Sequence, residues 1–250
     1  MYSVMLVSDR PAAYPYRREG WQMNIHYYKW HLKRHGFLKT VFRLCDQSIN
    51  KLITLKFRYL IEFDLRALNS KNLTTDDRFK IMRLDPAWLS RNIDLEEYQM
   101  DKSFLDRVQR KSDICFGILN NGKVASLTWY SNKPSLLLNG ELELRFGDKY
   151  LYEYNSFTHP AYRGQRLVSI GFSTAARELL KLGYHHLIGV VAFDNFNSLK
   201  SLYRKGGEKV GRFVFIRFFK TQTGFLIGKT KHPEFEVRVI KKEPLKKKMP

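Results

Sequence analysis

Tyr150-Leu-Tyr-Glu-Tyr-Asn-Ser-Phe-Thr158 followed by His159-Pro-Ala-Tyr-Arg-Gly164 is the stretch on which the reading of this chain turns. The first nine residues are rich in aromatics and end on a β-branched threonine, the composition of a strand. Pro160 removes a backbone donor and pushes His159 away from helical geometry, so the strand stops there. Gly164 admits a backbone conformation that other residues resist. Beyond it Leu167, Ile170, Phe172, Ala175, Leu179 and Leu182 recur at helical spacing, up to a stop at Gly183. Leu187–Phe193 is an almost continuous apolar run, as expected of a strand buried on both faces. A shorter helix follows, from the Asn195/Asn197 cap region to Lys205, and Gly206-Gly207 ends it.

A strand that ends in a tight loop and opens a helix aims free backbone N–H groups and the positive end of a helix dipole at one point. Such a point suits an anion, phosphate above all. Arg163 and Arg166 flank it and would add fixed cations. The plainer alternative is an ordinary strand–helix–strand unit with solvated arginines.

Pro-x-Tyr-Arg-Gly after a strand, then a helix, a strand and Asn-x-x-Ser…Tyr-x-x-x-Gly, resembles the GNAT N-acetyltransferase superfamily, most strongly over residues 150–207. The family's loop reads Arg/Gln-x-x-Gly-x-Gly/Ala. Arg163 matches its first position, while Arg166 and Val168 stand where the family has small residues. The resemblance implies an α+β fold: a mixed sheet with helices on both faces, here carrying an N-terminal helix–helix–strand extension. It also implies an acyl-CoA-dependent N-acyltransferase that uses acetyl-CoA as co-substrate, needs no metal, and acetylates a primary amine on a small molecule or polypeptide. By the same resemblance the coenzyme would be held by Phe157, Thr158, Arg163, Gly164, Gln165, Arg166, Leu167, Val168, Asn195 and Ser198. Tyr203, in Tyr-x-x-x-Gly, matches the family's acid for the leaving thiolate when counted back from Gly207. Counted forward from Asn195, Leu202 takes that slot, so Tyr203 is either the acid or a residue packing a helix on the sheet. Glu153 is either the base or a carboxylate paired with basic neighbours. By the two-residue period Glu153, Asn155 and Phe157 share one face.

Composition bounds the rest. In 250 residues the chain has 44% hydrophobic and 14% aromatic residues, enough for a proper core. Its net charge of +20 favours anionic partners: coenzyme phosphates, nucleic acid or an anionic membrane surface. The aromatics alternate into strand-like runs and are not interleaved with lysines on one face, which counts against a basic nucleic-acid module as the alternative function. A GNAT-fold transferase of another acyl or aminoacyl group is the second alternative, and a homodimer is compatible with either. Cys45 and Cys115 lack metal-type spacing and read as reduced thiols of a cytoplasmic protein. No apolar run approaches the length of a membrane span.

Three divisions are expected: an extension over 1–75, an acetyltransferase domain over 76–232, and a strand end with a basic tail over 233–250. In the extension Trp21, Ile25, Tyr28 and Leu32 mark one face of a helix ending at Gly36, and a second helix follows from Leu38 to about Asn50. His31 and His35 are one turn apart but have no partner carboxylate, so a solvated face is the simpler reading. Ile53, Leu55, Phe57, Tyr59, Ile61, Phe63 and Leu65 then alternate with polar residues, only Leu60 breaking the pattern. That is a half-buried strand, with odd residues inward and charged residues exposed. Phe79–Leu84 is the next strand, and Ser103 is a candidate helix cap. Residues 112–119 and 123–130 form a hairpin about Asn120-Asn121-Gly122. Glu141–Phe146 is a further strand beside a prospective acceptor pocket, and Val210–Phe219 and Thr223–Ile227 close the fold.

Overall fold

A computed structural model describes residues 53–67, 77–218 and 224–240, together with Leu32, Lys33, Gly36, Phe37, Thr40 and Val41. Most of the two helices expected in the extension, the histidine pair, Cys45 and the basic tail lie outside the described residues.

The fold is α+β. Strands β1 (Ile53–Asp64), β2 (Phe79–Leu84), β3 (Ile114–Asn120), β4 (Lys123–Ser131), β7 (Tyr150–Thr158), β8 (His186–Ala192), β9 (Glu208–Phe218) and β10 (Phe225–Lys229) build one sheet. Its order is β10-β9-β1-β8-β7-β4-β3-β2. Within it β7 and β8 are parallel neighbours and every other pair is antiparallel. A second sheet, ordered β11-β12-β6-β5, contains β5 (Ser135–Leu137), β6 (Leu142–Phe146), β11 (Lys231–His232) and β12 (Phe235–Val239).

Four helices are described: α1 (Pro86–Asn92), α2 (Lys102–Lys111), α3 (Leu167–Lys181) and α4 (Phe196–Arg204). Asp85 starts α1, with Oδ1 accepting from the N–H of Ala87 at 2.7 Å. Asp101, not Ser103, caps α2: its Oδ1 accepts from the N–H of Phe104 at 2.7 Å, while the Ser103 hydroxyl donates to the same carboxylate. A carboxylate one position before the first helical residue reaches the free N–H better than a hydroxyl already inside the turn.

On one face of the main sheet Phe172, Ala175, Ala176 and Leu179 of α3 and Leu199 and Leu202 of α4 pack against Ile61, Phe63, Leu151, Leu187 and Val191. On the other, α1 and α2 cover Leu127, Trp129 and Phe157. The small sheet covers Leu60, Tyr150, Tyr152, Ile188 and Val190 on that same side.

This double cover corrects the expectation for Ile53–Leu65. β1 lies inside the sheet between β8 and β9, antiparallel to both. Arg58 is buried, and Lys56, Glu62 and Asp64 are half-buried, where the period placed charged residues in water. Leu60, the residue that broke the pattern, is wholly buried under the small sheet. A strand between two others has no solvent face once both sides are covered.

Candidate functional site

The site is built where β7 and β8 part. Their parallel ladder runs only from Tyr150↔His186 to Glu153↔Gly189. Beyond that rung β8 stays paired with β1 up to Ala192, and β7 stays paired with β4 up to Thr158. The edges they turn toward each other therefore open into a cleft.

The parting coincides with a bulge. Leu127 pairs with Phe157 but Trp129 pairs with Tyr154, so Asn155 and Ser156 together oppose Thr128. Asn155 takes the left-handed conformation at φ 47°, which asparagine tolerates better than most residues. Among the described residues its side-chain Nδ2 is buried without a hydrogen-bond partner, as is the hydroxyl of Tyr152 three residues before it. Unpaired buried groups of this kind are met by strain, by an ordered water or by a bound group.

The bulge also overturns the shared face expected for Glu153, Asn155 and Phe157. Phe157 packs with Leu127 under α1 and α2, whereas Glu153 lies on the α3/α4 side. One extra residue shifts the two-residue period by one and reverses every side chain after it. Ser156 and Thr158 then face the α3 side, bonded to the hydroxyls of Thr128 at 2.8 Å and Ser126 at 3.1 Å. Only a small open pocket of about 10 Å³ lies between Ser126, Thr128 and α3, floored by Phe116, Ile118 and Tyr130.

Past Thr158 the chain makes a short 3-10 turn, Pro160–Tyr162, and then the loop into α3. Gly164 stands at φ +88° and Arg166 at φ 58°, so the arginine itself adopts the left-handed geometry that glycine would supply. Arg166 is the N-cap of α3 yet makes no side-chain capping bond. Among the described residues no acceptor receives the N–H of Gly164, Gln165, Arg166, Leu167 or Val168. Arg163 is pinned: its Nε donates to the Thr158 carbonyl at 3.2 Å, and burial lowers its pKa. Gly164, Gln165 and Arg166 are exposed, while Leu167 is a buried anchor and carries the site only through its backbone.

At the other end Asn195 caps α4, its Oδ1 accepting from the N–H of Ser198 at 3.2 Å, so those two residues are engaged with each other. Leu199 and Leu202 hold α4 on the sheet, and Tyr203 is 45% exposed. The packing role considered for Tyr203 therefore belongs to Leu202. Glu153 is buried and forms an ion pair with Lys205, whose Nζ lies 3.0 Å from Oε1. The two side chains are 7% and 2% exposed, and the ammonium also sits 4.3 Å from the ring centre of Phe172. Lys205, one residue past α4, was missed in the sequence. Its only signal was a lysine in a helix-ending Lys-Gly-Gly, which normally reads as solvated.

His159 is outside the cleft chemistry, with Nε2 2.7 Å from Glu97 Oε1. His186 is stacked on Tyr150 at the closed end of the β7–β8 ladder. Among the described residues no group of three or more His, Cys, Asp or Glu is arranged to hold a metal ion, and no helix is long and apolar enough to cross a membrane. Cys115 is buried, and burial pushes its thiol well above the ordinary range.

No family model matches the chain, and no curated protein does. The fold resembles that of GNAT acetyltransferases. A tandem GNAT protein from the clavulanic acid biosynthesis pathway is similar at 12% identity and a TM-score of 0.49, over 66% of this chain and 54% of that one. A GCN5-related N-acetyltransferase-like protein from Streptococcus suis shares 16% identity at a TM-score of 0.46, covering 72% of this chain and 68% of its own. An acetyltransferase from the GNAT family from Colwellia psychrerythraea shares 12% at 0.42, over 66% and 57%. The chain thus spans little more than half the length of two of the three. Similarity at this level concerns the fold and leaves chemistry to the residues of the cleft.

Proposed function

We propose that the chain is an N-acyltransferase that carries acetyl from acetyl-CoA to a primary amine. The observation that carries this is the parting of β7 from β8 at Asn155, on a line that leads to five backbone N–H groups with no acceptor among the described residues at the start of α3. A parted strand edge matches an extended chain of amides such as pantetheine, because it offers N–H and C=O groups at strand spacing. The N–H groups of residues 164–168, with the dipole of a 15-residue helix behind them, match a pyrophosphate. Bound there, the coenzyme would supply an activated acetyl thioester.

The chain's own groups then divide the work. The Arg163–Val168 loop holds phosphate oxygens, and the Arg166 side chain, exposed at its rim, adds a second cation. Tyr203, exposed on α4, is the group able to give a proton to a leaving thiolate. Glu153 is not free to act as base while Lys205 holds it. The amine's proton goes to water.

Calorimetric titration with acetyl-CoA, followed by thiol release with a panel of amines, tests this reading. Micromolar to millimolar coenzyme binding with amine-dependent thiol release is expected. Tyr203→Phe should lower kcat while leaving coenzyme affinity unchanged. Absence of acetyl-CoA binding at millimolar concentration would overturn the proposal.

A further inference from the structure

His159 takes no part in the cleft chemistry, yet its side chain ties the connection between α1 and α2 to the turn that leads into α3. Both sides of the tie are anchored. In the connection Tyr98 is buried, its hydroxyl donates to the Val124 carbonyl of β4, and its ring packs 5.4 Å from that of Phe157 on β7. That anchor presents the neighbouring Glu97 to the histidine, with Oε1 2.7 Å from His159 Nε2. On the other side the His159 N–H donates to the Ala125 carbonyl at 3.0 Å, and the His159 carbonyl accepts from the N–H of Tyr162 at 2.9 Å.

The two ring nitrogens have different partners. Nδ1 accepts from the N–H of Ala161 at 3.3 Å, which caps the 3-10 turn Pro160–Tyr162. A ring nitrogen that accepts carries no proton, so the neutral imidazole holds its hydrogen on Nε2 and gives it to Glu97. The carboxylate thereby fixes the tautomer and the ring orientation that the cap needs. From the capped turn the chain passes directly into the anion loop. There the Arg163 N–H donates to the Pro160 carbonyl at 3.3 Å, and its Nε to the Thr158 carbonyl at 3.2 Å. A second proton on the ring can go only to Nδ1, where it meets the N–H of Ala161 and ends the cap. Among the described residues the titratable groups facing the ring are Glu97, Tyr98 and Tyr162. Burial lifts the Tyr98 phenol to about 12, so it stays neutral where a histidine changes charge.

We propose that Glu97 is a positioning residue for the 163–168 loop, acting through His159, and that a proton on His159 Nδ1 releases that loop. Acetyl-CoA affinity should follow this clip. That consequence rests on the acyl-transfer reading given above, whereas the clip itself does not.

Backbone amide NMR spectra and calorimetric titration with acetyl-CoA, both run from about pH 7.5 down to about pH 5, test it. The amides of Ala161 and of residues 163–168 should shift together over that range, and coenzyme affinity should fall by about twofold to tenfold. His159→Asn is the decisive variant, because asparagine before proline caps a turn through its Oδ1 and does not titrate. It should bind acetyl-CoA as wild type does at about pH 7.5 and lose the pH dependence of both readouts. Glu97→Ala should weaken binding at that pH, while Glu97→Gln, whose carbonyl still accepts from Nε2, should bind as wild type does. The Glu97 side chain is 50% exposed, so neither change should move the thermal midpoint. The proposal fails if the Ala161 amide ignores pH in wild type, or if His159→Asn keeps the wild-type response. It fails equally if Glu97→Ala and Glu97→Gln behave alike. No coenzyme binding at any pH, with the amide response intact, would overturn the acyl-transfer reading and leave the clip supported.

Discussion

The two ends of the cleft handle charge in opposite ways. At the loop end, Gly164, Gln165 and Arg166 are exposed, five N–H groups have no acceptor among the described residues, and a cation stands with its backbone in a strained conformation. At the closed end, Glu153 and Lys205 are both buried and neutralise each other across 3.0 Å. A site that must receive an anion keeps its positive groups unspent. A site that must hold a helix against a sheet in low dielectric spends each charge on a partner. On the proposed reading the contrast separates the groups that would bind coenzyme from those that support the fold, and the buried Glu153–Lys205 pair falls in the second.

The largest effect should come from breaking the supporting end. Lys205→Met leaves a buried carboxylate without its cation and should cost about 3–5 kcal/mol in denaturant unfolding. Adding Glu153→Leu should recover most of that loss, since an apolar pair of similar volume often matches a buried ion pair. A cost below about 1 kcal/mol for the single change would show that Glu153 finds water or another partner, and the contrast between the ends would collapse. Next in size is Ile61→Ala. Ile61 is 0% exposed between α3 and the sheet, and its truncation should cost about 2–5 kcal/mol. A near-zero change would mean that β1 is a loose appendage rather than an inner strand of the frame that holds the cleft.

Much of that frame was legible because its signals are local. The strand–breaker–helix–strand order over residues 150–193 depends on Pro160, Gly164 and the 3.6-residue spacing of Leu167 to Leu179, and the structure follows it. The hairpin about Asn121-Gly122 was equally plain. What failed to show was set by distant partners. Leu60 looked like an error in a half-buried strand because the sheet that covers it comes from residues 135–239. The bulge at Asn155 has no reliable local signature, so the period ran on unbroken and put Glu153 and Phe157 on one face. Lys205 gave no sign at all, since its burial depends on Glu153, 52 positions away, and on the rings of Phe63 and Phe172.

At the binding end the effects are smaller and concern affinity. If the loop holds coenzyme phosphates as proposed, Arg166→Ala removes a charged contact of about 1.5–3 kcal/mol, and acetyl-CoA should bind roughly tenfold to a hundredfold more weakly. The loss should shrink at high salt, where the charge is already screened. Arg166→Gly should lose the same contact yet raise stability, because a non-glycine residue in the left-handed region carries about 1–2 kcal/mol of strain. If glycine instead improves coenzyme binding, the arginine is an obstruction rather than a contact.

The smallest test asks whether a buried carboxylate needs a cation at all. Asp113, at the start of β3 on the α2 side, is 7% exposed and is held by a hydroxyl: Tyr154 donates to its Oδ2 at 2.5 Å. Burial raises its pKa above the usual carboxylate range, against the lowering pull of hydrogen bonds from Ser131 and Tyr154. A raised folded pKa means that the folded state holds the proton more tightly than the unfolded chain does. The stability this contributes is full below about pH 4, the ordinary aspartate value, and is lost as pH rises through the folded pKa. Asp64 and Asp101 run the other way, lowered chiefly by the hydrogen bonds of Arg66 and Ser103, and they lose their contribution as pH falls. Comparing wild type with Asp113→Asn cancels those groups. Asparagine keeps an acceptor for Tyr154 and cannot ionise, so the variant's thermal midpoint should gain on wild type as pH rises from about 4 toward neutrality. A gap that stays constant over that range would mean that Asp113 titrates as it does in water.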